Sequence, residues 1–219
     1  MGPARIEAVL PILLFESSVP APLPGGTMLA PLPGGTIIAA GFKPFPQWDR
    51  VRRFILDDRS FRRPELRPWT SWAAALQAQP IEARLQAIND RVLGRVAYVS
   101  DQIIWGRPNY WETPLEVVRQ EATDCEGFAI LDMFLAAAAG IDRQDMAILV
   151  GRVPSRNMYH AVLLVRAGGE SYVLDSRWRS IHAIGDALDF VPIYAVGTDS
   201  AWSFGPSPDN TEVLAAAAP

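Results

Sequence analysis

Thr123–Val153, TDCEGFAILDMFLAAAAGIDRQDMAILVGRV, carries both halves of the fold in one stretch. Its first half is apolar at helical spacing through Phe128, Leu131 and Leu135, and Gly140 supplies a stop. Thr123 with Glu126 three residues on reads as an N-cap and capping box, so a helix is expected to open at the cysteine motif. Beyond Gly140 the period shortens, and Ala147–Val153 reads as a strand.

Working outward, residues 159–166, 171–175 and 190–196 carry the same strand pattern, with a turn at Ala167-Gly168-Gly169. Upstream the signals are helical. Ile81, Leu85, Ile88, Val92 and Val96 predict an amphipathic helix over about residues 80–99. Thr113-Pro114-Leu115-Glu116 combines an N-cap, a proline at the first helical position and a capping-box glutamate. Helices followed by neighbouring strands define an α+β domain, its N-terminal helices packed on a mainly antiparallel sheet.

The ends of the chain differ from this middle. Ala21-Pro22-Leu23-Pro24-Gly25-Gly26-Thr27 recurs as Ala30-Pro31-Leu32-Pro33-Gly34-Gly35-Thr36. Two copies are too few for a solenoid, and their Pro and Gly content suggests an extended arm. Residues 1–41 are therefore expected to form an N-terminal arm, 42–204 the folded domain and 205–219 a tail. The apolar run Ala8–Phe15 after Arg5 has the outline of a degenerate export signal. Glu7, Pro11 and the lack of a small-x-small cleavage site argue against one.

The 219 residues carry 49% apolar and 20% charged side chains, the balance of an ordinary globular domain. A formal net charge of -4 gives no electrostatic reason to expect nucleic acid or an anionic membrane as a partner. No apolar run is long enough for a transmembrane span.

Cys125 is the only cysteine, so an internal disulfide is excluded. A cysteine at a helix N-terminus, followed by a strand His and a strand Asp, suits a thiol nucleophile, because oriented amides favour the thiolate. His160 and Asp175 fall on the two strands joined by the Ala167-Gly168-Gly169 turn. If Ala167 and Gly168 form the loop, the two residues are directly opposed. If Arg166 faces Ser171, they are diagonal neighbours on one face, and a three-residue loop would put them on opposite faces. His160 would then act as general base and acid, with Asp175 orienting its ring. The competing reading is a buried structural cysteine ahead of the apolar Phe128–Leu131 run. His182 is a weaker candidate base because no carboxylate partner is evident for it.

Trp105-Gly106-Arg107-Pro108-Asn109-Tyr110-Trp111-Glu112-Thr113-Pro114-Leu115-Glu116, followed by Asp124-Cys125-Glu126-Gly127-Phe128-Ala129, resembles the bacterial transglutaminase-like (LapG-like) cysteine proteases. Their pattern runs W-G-x-x-D-Y-W-x-T-P-x-E, then D-C-E-D-Y-A, then a strand His and a strand L-D-N. Leu85–Asn89, Tyr159–Leu163, Val173–Asp175 and Val191–Tyr194 add to the likeness, which extends from about Phe42 to Trp202. The resemblance implies a papain-like, transglutaminase-type fold and a Cys125–His160–Asp175 triad. It further implies calcium bound by acidic residues of the cysteine motif, here Asp124 and Glu126. A periplasmic location, a large surface adhesin as protein substrate in biofilm control, and a LapD-like inner-membrane receptor as partner follow from the same resemblance. Three positions depart from the pattern: Gly127 for the second Asp of D-C-E-D, Ser176 for the Asn after the triad Asp, and Asn109 for the Asp of D-Y-W. Two other readings of the same fold are a transglutaminase- or amidase-type acyl transferase and a binding module without catalysis.

Overall fold

The computed structural model describes residues 35–41, 45–183 and 189–206. The expected export signal, almost all of the repeated arm and nearly all of the tail lie outside the described residues.

Helices dominate the first half. They are α1 (Pro46–Leu56), α2 (Arg67–Ala74), α3 (Ile81–Arg95), α4 (Asp101–Ile104), α5 (Pro114–Gln120) and α6 (Cys125–Ala138). The third is shorter than the 80–99 expected from its periodicity. Val96 turns extended, and Ala97–Tyr98 leaves the helix to form strand β2. The long apolar period of α3 runs on into that strand, which the periodicity alone could not separate.

Strands fill the second half. Numbered along the chain, they are β1 (Gly35–Gly41), β2, β3 (Ala122–Thr123), β4 (Met146–Val153), β5 (Met158–Ala167), β6 (Glu170–Leu174), β7 (His182–Ala183), β8 (Val191–Gly197) and β9 (Ala201–Pro206). Among the described residues, seven of them form one sheet in the order β1-β9-β8-β4-β5-β6-β7, with every pairing antiparallel. β1 pairs along β9, so the sheet takes in residues 35–41 of the expected arm and 205–206 of the expected tail.

The β5–β6 hairpin settles the register. Arg166 faces Ser171 and Ala167 faces Glu170, leaving Gly168-Gly169 as a two-residue turn. Both glycines have positive φ, 63° and 87°, the requirement of a type I′ turn whose twist matches the strands.

Helix α6 is the central element. It packs on β4 and β5 on one side and against α2, α3 and α5 on the other. Its residues from Gly127 to Ala136 are all buried, which explains why its sequence is apolar nearly all round. It ends in a Schellman arrangement: Gly140, at φ +84°, donates to Ala137 O, and Ile141 donates to Ala136 O. At the domain's other flank Trp48 and Trp111 pack edge to face, and the Trp48 indole donates to Gly197 O. This ties α1 to the end of β8.

Candidate active site

The N-terminus of α6 is capped by Asp124, not by Thr123 as the sequence pattern suggested. The Asp124 carboxylate accepts the Glu126 backbone N–H at 3.2 Å. Thr123 is occupied by β3, where it pairs with Tyr98 and accepts Val99 N–H at 2.9 Å. The cap therefore moves one residue on, and Cys125 becomes the first helical residue. There the helix dipole and unpaired amides favour negative charge.

The thiol is 7% exposed. Its Sγ–H donates to Glu126 Oε2 at 2.9 Å, and the Ala161 backbone amide of β5 faces it. Burial first, then the charges of Glu126 and Asp124, raise its pKa well above the usual thiol value. Burial foremost, then the charges of Glu126 and Cys125, raise the hydroxyl of Tyr194.

His160 lies on β5, next to Ala161, and is 1% exposed. Its Nε2 meets Asp175 Oδ1 at 2.7 Å, and its Nδ1 has no hydrogen-bond partner among the described residues. Because Leu163 pairs with Leu174, His160 and Asp175 are diagonal neighbours on one face, the second of the registers considered above. Arg177 clamps the carboxylate from the other side: its backbone N–H donates to Oδ1, and its guanidinium donates to both oxygens. Burial alone would raise the Asp175 pKa, but the bonds from His160 and Arg177 outweigh it, and the carboxyl is lowered to about 2. The loop beyond is anchored to α3, where Asn89 Nδ2 donates to Trp178 O and Arg179 O. His182 sits on β7 with its ring edge to Trp178, apart from this arrangement.

A second cluster lies on the other side of Asp124. Carboxylate oxygens of Asp101, Glu112 and Asp124 lie within 4.8 Å of one another, and Asp124, Cys125 and Glu126 form an overlapping group. The short parallel β2–β3 pair explains the meeting. Tyr98 opposes Thr123, so the chain leaves both strands at the same end, three residues before Asp101 and one before Asp124. Glu112 arrives through the Trp105–Trp111 loop, where the Trp105 indole donates to its Oε1 at 2.9 Å. Burial, then the charges of Glu126, Asp101 and Glu112, push Asp124 up to about 11. Burial foremost, with Asp101 adding, pushes Glu112 up to about 7. Asp101 is raised for the same leading reason. Asp101 and Glu112 escaped the sequence reading because no short motif links them to the cysteine. The one signal was Glu112 itself, a charged residue between Trp111 and a helix cap.

Cys125 opens the central helix, which packs on β4 and β5, and this arrangement of helices and antiparallel sheet is a fold of the transglutaminase-like class. Residues 68–202 match the model of the bacterial transglutaminase-like cysteine proteinases, and the chain belongs to that family as a cysteine protease. Among solved structures, Legionella pneumophila LapG is similar over 80% of this chain and 97% of its own, at 22% identity and a TM-score of 0.57. Its calcium-bound form matches 78% of this chain and 98% of its own, at 21% identity and a TM-score of 0.57. The EGTA-treated form matches with a TM-score of 0.56 over 79% of this chain and 97% of its own, at 22% identity. These likenesses establish the shared fold. No curated protein sequence gives a match.

Proposed function

We propose that the chain is an endopeptidase in which Cys125 is the nucleophile, His160 the general base and acid, and Asp175 the orienting carboxylate. The buried 2.7 Å His160–Asp175 contact carries this reading, because it leaves Nδ1 unpartnered on the residue next to Ala161, whose amide faces the Cys125 thiol. Asp175 accepts from Nε2 and holds the tautomer. His160 takes the Cys125 proton on Nδ1, and the thiolate attacks the scissile carbonyl carbon, forming a C–S bond. The oxyanion is stabilised by the Cys125 backbone N–H at the helix N-terminus. His160 then gives its proton to the departing amine as the C–N bond breaks, leaving a thioester. A water deprotonated by His160 attacks that thioester and releases the acid and the thiol.

Calcium would be the cofactor, and Asp124 and Glu126 together with Asp101 would hold it beside Cys125. The fit rests on chemistry: the donors are hard carboxylate oxygens, the class calcium prefers, and Asp101 Oδ1 is buried without a partner. When bound, calcium supplies positive charge that offsets the carboxylates disfavouring the thiolate.

The likeness to LapG supports a large surface adhesin as substrate, a periplasmic location and sequestration by a LapD-like receptor. None of the described helices is long and apolar enough to cross a membrane. Incubating the protein with N-terminal fragments of candidate adhesins, with calcium and with chelator, tests the reading. Calcium-dependent cleavage at a single site is expected. Incorporation of an added amine in place of hydrolysis would instead assign an acyl transferase.

A further inference from the structure

The cysteine motif lacks the second acidic residue of the family pattern, because Gly127 stands in its place. The space that a side chain at 127 would enter is filled. An added Cβ would collide with the Thr123 side chain and come within 3.0 Å of Glu112 Oε2. Glu112 belongs to the Trp111-Glu112-Thr113-Pro114 segment, at a position the family pattern leaves variable. The carboxylate reaches the same spot from a different part of the chain.

Glu112 is fully buried. Its Oε1 accepts from Trp105, and its Oε2 has no hydrogen-bond partner of good geometry. Asp101, 2% exposed, accepts the Tyr110 N–H on Oδ2 and leaves Oδ1 unpartnered; Thr123 Oγ1 is buried and unpartnered beside them. Among the described residues no arginine pairs with Asp101, Glu112 or Asp124. Buried carboxylates this close, without a cation, must either take up protons or repel one another, and they keep unmet acceptor capacity.

We infer that Glu112 is a ligand of the calcium site, supplying from the α5 side the carboxylate that Gly127 has given up. Glu112 then joins Asp101, Asp124 and Glu126 as a donor: the β2–β3 pair aligns Asp101 with Asp124, and Glu112 enters from the loop before α5. Thr123 and Gly127 are part of the same exchange, since the glycine makes room for the glutamate head group. The inference rests on the calcium part of the proposed function.

Calorimetric titration of calcium chloride into metal-stripped Cys125→Ala protein, with melting curves at each end point, tests it independently of cleavage. The Cys125→Ala parent should bind calcium and melt higher with it. Glu112→Gln in that background keeps the shape and the Trp105 contact, and should weaken binding by about tenfold or more. It should also raise the calcium-free melting temperature by removing a repelling charge, whereas a merely structural glutamate would lower it when replaced. Asp101→Asn should weaken calcium binding in the same way. Unchanged affinity in the Glu112→Gln variant, with a parent that binds, would overturn the ligand exchange alone, whatever Asp101→Asn does. A parent that binds no calcium would overturn it together with the calcium part of the proposed function, while leaving the triad to be judged by cleavage.

Discussion

His160 and Asp175 meet across a diagonal of the β5–β6 hairpin, two positions out of direct opposition, and still close to 2.7 Å. The type I′ Gly168-Gly169 turn sets that offset. Asp175 therefore approaches from the end of β6, where Arg177 can reach around and hold its second oxygen. The register that positions the pair is the one that frees the carboxylate for this clamp.

Replacing Asp175 by Asn should lower cleavage by on the order of 10²–10⁴-fold, because the amide favours the wrong histidine tautomer. Comparison of kcat/KM for purified, folded protein measures this.

The same residue sets an acid limit on stability. Its folded-state pKa, about 2, lies below the unfolded value, so its contribution is fully present above about pH 4 and is lost as pH falls toward 2. The contribution is on the order of 2 kcal/mol. Urea melts at pH 7, 4 and 2.5 should show Asp175→Asn less sensitive to acid than the wild type over that window.

Two glycines predict opposite outcomes. Gly127→Ala should destabilise by about 1–3 kcal/mol, since the new methyl must displace the Thr123 side chain in a packed interior. Gly94, within α3, has nothing within 4 Å of an added Cβ. Gly94→Ala should stabilise by about 0.5–1 kcal/mol through backbone entropy alone. Denaturant midpoints at constant slope would separate the two.

At α5 the capping box is complete: Thr113 Oγ1 accepts the Glu116 N–H, and the Glu116 carboxylate accepts the Thr113 N–H. Thr113→Ala should cost about 1 kcal/mol and lower the melting temperature by roughly 2–4 °C.

What the sequence made legible follows from local rules. The α6 helix, its Gly140 stop and the four main strands announced themselves through period and punctuation, and the lone cysteine drew attention to its own site. The α5 cap was readable because both partners lie within four residues. Other features depend on pairing between distant segments. The β2–β3 pair is two residues long on each side, too short for any periodicity, yet it aligns Asp101 with Asp124. It also takes Thr123 out of the capping role that its spacing to Glu126 suggested. Arg177 was invisible for a similar reason: its clamp depends on how the chain turns after Asp175, where the Trp178 N–H bonds back to Asp175 O.

Cleavage of one substrate fragment by the wild type, Cys125→Ala and His160→Ala, each confirmed folded by its melting curve, tests the triad most directly. Both variants should lose activity by on the order of 10³-fold or more while keeping the fold. Full proteolysis by the Cys125→Ala protein would contradict the assignment of Cys125 as the nucleophile.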